Sequence, residues 1–213
     1  MTKISRRHFL AVTGAITGSA LLNPLSEIKA ENIEISTPTV KKTRIALIGT
    51  GSRGIFMWGR DLVREYSNYI EFVGLCDINE GRVETGKRMI GVSCPTYTDF
   101  EKMMKETKPE VLIVTTMDST HHQFIIRGME LGANVITEKP MTIDEKKIQA
   151  ILDAEERTGK HCRVTFNYRY SPHRAKIWEL LRAGEIGDIT SVDFHWYLDT
   201  SHGADYFRRW HRL

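Results

Sequence analysis

Gly49-Thr50-Gly51-Ser52-Arg53-Gly54 is the segment best placed to do chemistry, because it follows an apolar run at once and opens a helical pattern. Glycines at its first, third and sixth positions allow a tight turn and let the backbone approach a pyrophosphate. The helix start that follows offers unpaired N–H groups and a favourable dipole to such an anion. Asp77 closes the next apolar run, at about the separation expected of a carboxylate that hydrogen-bonds an adenosine ribose. Its charge repels a 2′-phosphate, so NAD is expected in preference to NADP. The competing explanation is a plain glycine-rich turn with a capping aspartate.

Two further turns carry reactive side chains: Thr115-Thr116-Met117-Asp118-Ser119-Thr120-His121-His122, and Glu138-Lys139-Pro140. A lysine beside a nicotinamide could hold or relay the proton of a substrate hydroxyl, and desolvation would lower its pKa toward that task. Taken alone, Lys139 reads equally well as a surface ion-pair residue. His121 and His122 read as helix-start residues rather than bases.

The elements that must position these turns follow from the patterning. Apolar runs at 45–48, 72–76, 111–114, 134–137 and 162–166 alternate with helical patterns, which indicates a doubly wound α/β fold with a parallel sheet covered on both faces. After Gly54, Ile55, Trp58, Leu62, Val63 and Tyr66 recur at helical spacing and predict one stripe against the sheet. Thr142 with Glu145 has the pattern of a capping box ahead of Ile148, Ile151 and Leu152, with Gly159 as terminator. Ser171-Pro172 starts another helix, with Ile177, Trp178 and Leu181 on one face and Gly184 at its end. The alternation through 189–198 predicts a half-buried strand of a second sheet, and one strand cannot make a stable sheet. The chain is therefore expected to stop within a second, α+β domain.

The two ends and the composition set further bounds. Ser5-Arg6-Arg7-His8-Phe9-Leu10 precedes a charge-free stretch, Ala11 to Ser26, in the pattern of a twin-arginine export signal over 1–30 with cleavage near Ala30. A basic tail or an uncleaved anchor is the alternative, and Gly14, Gly18 and Asn23 disfavour a membrane span. Residues 31–43 are polar and aperiodic, as a linker would be. Removing Lys3, Arg6, Arg7 and Lys29 against Glu27 takes 30 basic and 27 acidic residues to 26 of each, which leaves no footprint for nucleic acid or an anionic membrane. Three cysteines without CxxC spacing give neither a metal site nor a complete disulfide set, and Cys76 falls in a core strand.

Taken in order, the strand–GTGSRG–helix unit, Cys76-Asp77, the Thr-Met-Asp-Ser-Thr-His turn, Glu138-Lys139-Pro140-Met141 and Asn167-Tyr168-Arg169-Tyr170-Ser171-Pro172 resemble the glucose-fructose oxidoreductase/inositol dehydrogenase family (Gfo/Idh/MocA) over residues 44–198. The resemblance implies a Rossmann domain over 44–166, and over 167–213 the beginning of a substrate domain with a large open sheet. It implies NAD(P)-dependent oxidation of a hydroxyl on a sugar, cyclitol or glycoside, with tightly bound cofactor. Gly49, Gly51, Gly54 and Asp77 match the family's cofactor site, with Thr50, Ser52, Arg53 and Thr116 in the same turns. Glu138, Lys139 and Pro140 match its central motif, with Lys139 in the active site. His121 matches the usual histidine of the preceding turn, and Tyr168 and Arg169 the segment that crosses toward the substrate. Met117 stands where proline is common.

The family's acid/base pair would lie beyond Leu213, while His195, Trp196, His202, Tyr206 and Trp210 suit a sugar pocket. A small-molecule carbohydrate partner, a periplasmic location and a homo-oligomer of the full-length protein are expected. Some relatives are exported glycoside hydrolases that oxidise the sugar transiently, and a nucleotide-binding remnant without catalysis is the third alternative.

Overall fold

The computed structural model describes residues 41–208. The expected leader and its cleavage point, most of the expected linker, and Trp210 lie outside these residues. Six strands form one parallel sheet: β1 Thr43–Ile48, β2 Ile70–Cys76, β3 Thr96–Tyr97, β4 Val111–Val114, β5 Asn134–Thr137 and β6 Cys162–Val164, in the order β3-β2-β1-β4-β5-β6. The chain works outward from β1 to β3 on one side, then returns to lay β4, β5 and β6 on the other. The order reverses between β1 and β4, and such a switch point opens a crevice at the carboxyl ends of the strands.

Strand side chains alternate between two buried clusters. Ala46, Ile48, Leu112 and Val114 join Met103, Met104, Ile125 and Ile151 on one face, whereas Ile45, Leu47 and Ile113 join Ile55, Val83 and Ile90 on the other. This is why the strands read as continuous apolar runs: with helices on both faces, neither side of the sheet meets water.

The helices are α1, which winds as a π-helix over Arg53–Arg60 and as an α-helix over Asp61–Tyr66, α2 Glu80–Ile90, α3 Phe100–Thr107, α4 His121–Glu130 behind a single 3₁₀ turn Asp118–Thr120, α5 Glu145–Thr158, α6 Pro172–Arg182 and α7 Thr200–Arg208. Side chains of Asn79, Asp99 and Asp144 accept the backbone N–H three residues on and so start α2, α3 and α5.

Three expectations need correction. The cap of α5 is Asp144, not Thr142: a carboxylate at the positive end of the helix outcompetes a hydroxyl two residues earlier, and it also meets the Lys147 ammonium at 3.1 Å. Of its apolar residues, Ile151 is buried while Ile148 and Leu152 are exposed. The stripe after Gly54 winds first as π-helix, and its last member, Tyr66, faces solvent. Residues 189–198 form no strand and are exposed throughout, because no neighbouring strand among the described residues offers a ladder. The other signals hold: Gly159 caps α5 in the left-handed region, and α6 starts at Ser171 with Pro172 in its first turn.

Candidate active site

The turn after β1 shows three glycines in three different environments. Gly49 has φ +93°, and a Cβ there would meet the Thr115 backbone at 2.6 Å. A Cβ on Gly54 would stand 2.2 Å from the Gly49 carbonyl oxygen, so this glycine lets the helix start press against the strand end. A Cβ on Gly51 would meet nothing within 4 Å. Tight turn, open approach and close helix–strand packing are what a pyrophosphate-binding turn requires of its first, second and third glycines. The residues therefore fit a dinucleotide.

Asp77 ends β2 nearly buried, at 7% exposure. Its Oδ2 accepts the Thr50 backbone N–H at 2.9 Å and the Thr50 hydroxyl at 3.0 Å, while Oδ1 accepts the Asn79 N–H at 3.0 Å. One carboxylate thus ties the glycine turn to the end of the neighbouring strand. Next to it, burial above all, and then the Asp77 charge, push the Cys76 thiol up to about 12. Burial likewise raises Cys162 to about 12 and Cys94 to about 11, which disfavours the thiolate at all three.

Across the switch point, Thr115 N–H bonds the Ile48 carbonyl at 2.9 Å, and its hydroxyl reaches the Gly49 carbonyl at 2.6 Å. Thr116 accepts the Thr120 hydroxyl at 3.0 Å. Met117 adopts φ −72° and ψ 144°, the backbone a proline would impose, so the departure from proline costs the turn no geometry. His121 is buried at the start of α4. Its Nδ1 lies 2.9 Å from the Pro140 carbonyl and its Nε2 3.0 Å from the Thr116 carbonyl. With one ring nitrogen toward each of these carbonyl oxygens, the imidazole sits between the two turns. Desolvation, helped by the Lys147 charge, holds His122 below the ordinary imidazole value.

Glu138 is buried at the end of β5, and the Lys139-Pro140 peptide after it is cis. Its Oε1 accepts Arg53 Nε at 2.9 Å and Trp58 Nε1 at 2.8 Å, and its Oε2 accepts Arg53 Nη2 at 3.3 Å. The glycine turn and the Glu138-Lys139-Pro140 turn are thereby joined by an ion pair. Lys139 itself is exposed and meets no carboxylate among the described residues, so the ion-pair alternative for it finds no partner there. Ser52 lies exposed beside Arg53.

Beyond β6, whose ladder is extended by Thr165 N–H bonding the Thr137 carbonyl at 3.0 Å, the chain leaves the same edge of the sheet. Tyr168 and Arg169 are exposed there. The Arg174 guanidinium lies 4.1 Å over the Tyr168 ring, and Trp196 stacks at a tilt 5.4 Å from it. His195 is also exposed, and the side chains of His202 and Tyr206 lie outside the described ones. Two site residues were not legible beforehand. Residue types alone give Thr115 no role beyond its turn and put Trp58 in the apolar stripe after Gly54.

The model of an oxidoreductase family with an NAD-binding Rossmann fold (GFO_IDH_MocA) matches residues 43–166. YteT of Bacillus subtilis is 38% identical over 172 residues, 79% of this chain and 40% of YteT. Glycosyl hydrolase family 109 protein 1 of Akkermansia muciniphila is 32% identical over 160 residues, 71% of this chain and 33% of that protein. The chain thus spans well under half the length of these curated relatives. Among solved structures, myo-inositol 2-dehydrogenase from Lactobacillus plantarum superposes with a TM-score of 0.64 at 25% identity, over 70% of this chain and 43% of that one. The family match runs through the glycine turn, Asp77 and the Glu138-Lys139-Pro140 turn gathered on one edge of the sheet: the chain belongs to the Gfo/Idh/MocA oxidoreductases and carries their NAD-binding Rossmann domain.

Proposed function

We propose that this protein is an NAD-dependent oxidoreductase acting on a hydroxyl of a sugar, cyclitol or glycoside, with the cofactor held tightly through turnover. The observation that carries this reading is the convergence of Gly49–Gly54, Asp77, Thr116 and Glu138-Lys139 at the carboxyl ends of β1, β2, β4 and β5. Bound NAD supplies the hydride acceptor. Asp77 would disfavour the added charge of a 2′-phosphate, the Gly51 backbone, with nothing within 4 Å of a Cβ, would let a pyrophosphate approach, and Lys139 would hold or move the hydroxyl proton. Tyr168 and Arg169 stand where the chain leaves this edge, on the substrate side. The curated relatives are more than twice as long as the part this chain matches, and in this reading a substrate domain packed over the carboxyl ends of the strands completes the pocket around Lys139.

The test is direct. In the full chain, Lys139→Met should lower kcat for carbohydrate oxidation by about 10²- to 10⁴-fold, as loss of a general acid/base does, while the NAD Kd stays within about threefold. Unchanged kcat would remove Lys139 from the chemistry.

A second reading, glycoside cleavage through transient oxidation and elimination, is favoured by the glycosyl hydrolase family 109 relatives. Release of an aryl aglycone without net NADH would establish it, and stoichiometric NADH from a free sugar would exclude it. The twin-arginine pattern supports export of a folded, cofactor-loaded protein to the periplasm, and its full-length form is expected to be a homo-oligomer. The intact mass of the protein recovered from its own cells checks leader removal at Ala30.

A further inference from the structure

Two donors from one helix meet on Glu138, and they are five residues apart. In an α-helix, positions five apart face directions about 140° different, so Arg53 and Trp58 could not reach one carboxylate. The π winding of Arg53–Arg60 narrows that angle, since its wider turns bond back five residues rather than four, as the Asp61 N–H bonding the Phe56 carbonyl shows. Gly54 and Gly59 follow the same spacing on the inner side, where a Cβ on Gly59 would meet Ile90 at 2.4 Å and the Gly54 carbonyl at 3.1 Å. Two glycines against their neighbours and two hydrogen-bond donors on Glu138 thus recur at the hydrogen-bond spacing of the π-helix. Glu138 is buried, and a buried carboxylate without partners is strongly disfavoured, so the two donors decide where it sits.

We propose that Trp58 is a positioning residue for the Lys139 turn: its indole N–H, brought by π winding onto the carboxylate that Arg53 also holds, fixes Glu138 and the backbone beside it. The glycine turn and the lysine turn then move as one unit, so that seating a dinucleotide on the first sets the second. The proposal rests on the reading of Glu138-Lys139-Pro140 as part of the site, but its binding arm needs only NAD.

The experiment uses the full chain labelled with ¹⁵N. The indole cross-peak that Trp58→Phe removes should shift in Glu138→Gln, and also in Arg53→Met, which disturbs the same carboxylate by a second route. Trp58→Phe keeps an aromatic ring but no donor and should raise the NAD Kd about three- to tenfold, the loss of one hydrogen bond to a charged group being partly offset by Arg53. Added to Glu138→Gln, the same change should weaken NAD by less than about 1.5-fold more, because the two residues act through one contact. An indole peak unmoved by both partner variants overturns the proposal. So does an NAD Kd unchanged by Trp58→Phe, or one raised equally in both backgrounds, which would be a packing effect. A chain that passes these readouts but oxidises no carbohydrate would sink the reaction proposed above and leave the positioning role standing.

Discussion

Asp77 carries two demands on one side chain. In the proposed function it receives ribose hydroxyls, and it already satisfies the backbone N–H groups of Thr50 and Asn79. Asp77→Ala should therefore do two measurable things. The preference for NAD over NADP should fall at least tenfold, about 1.4 kcal/mol, as the repulsion of a 2′-phosphate is lost. Stability should fall by about 1–3 kcal/mol in chemical denaturation, because nearly buried donors lose their acceptor. A variant that changes selectivity with no loss of stability would show that the two hydrogen bonds are replaced by water.

At the scale of the element, the join between β1 and α1 depends on the absence of a side chain. Gly54→Ala places a methyl 2.2 Å from the Gly49 carbonyl oxygen and 2.7 Å from the Thr115 hydroxyl, contacts that backbone cannot relieve without opening the turn. The expected outcome is loss of NAD binding by calorimetry and destabilisation on the order of 1–3 kcal/mol, the range of overpacked sites. The cap of α5 gives a smaller, cleaner effect. Asp144→Ala should cost about 1 kcal/mol, whereas Thr142→Ala should cost less, since the Thr142 hydroxyl makes no hydrogen bond and caps nothing. The reverse order would restore the capping box that the residue pattern suggested. That pattern was legible, but two acceptors two residues apart compete for one helix start, and the choice between them depends on how the chain emerges from the Lys139-Pro140 turn.

Across the whole molecule, the sheet is held from both sides, and Leu112 sits fully buried between β4 and α4, where the Gly128 position leaves room for it. Leu112→Ala should lower stability by about 2–5 kcal/mol with little effect on NAD affinity, since the residue lies on the face away from the glycine turn. Acid should weaken the molecule by a separate route. A hydrogen bond from Arg127 holds Glu101 below its ordinary value, Arg127 and Arg157 do the same for Glu130, and the Lys147 N–H does so for Asp144. Carboxylates depressed in the folded state stabilise it above their unfolded pKa, and that stability is lost as pH falls through the folded values. Their solvent exposure keeps each contribution small. Melting temperature should therefore fall as pH drops below about 4.5, and Arg127→Met should flatten that limb.

The residues by themselves determined the parallel sheet, its two covered faces, the glycine turn and the aspartate that ends β2, because each of these is set by neighbours in sequence: an apolar run, a strand end, a turn that only glycine allows. The clasp of Arg53 and Trp58 on Glu138 was decided only in three dimensions. It joins side chains 80 and 85 positions apart and needs a helix that departs from its usual period, which residue spacing at 3.6 per turn places on opposite sides. The expected strand over 189–198 was lost for the complementary reason: alternation says which face a strand would bury, but only a neighbouring strand makes it one.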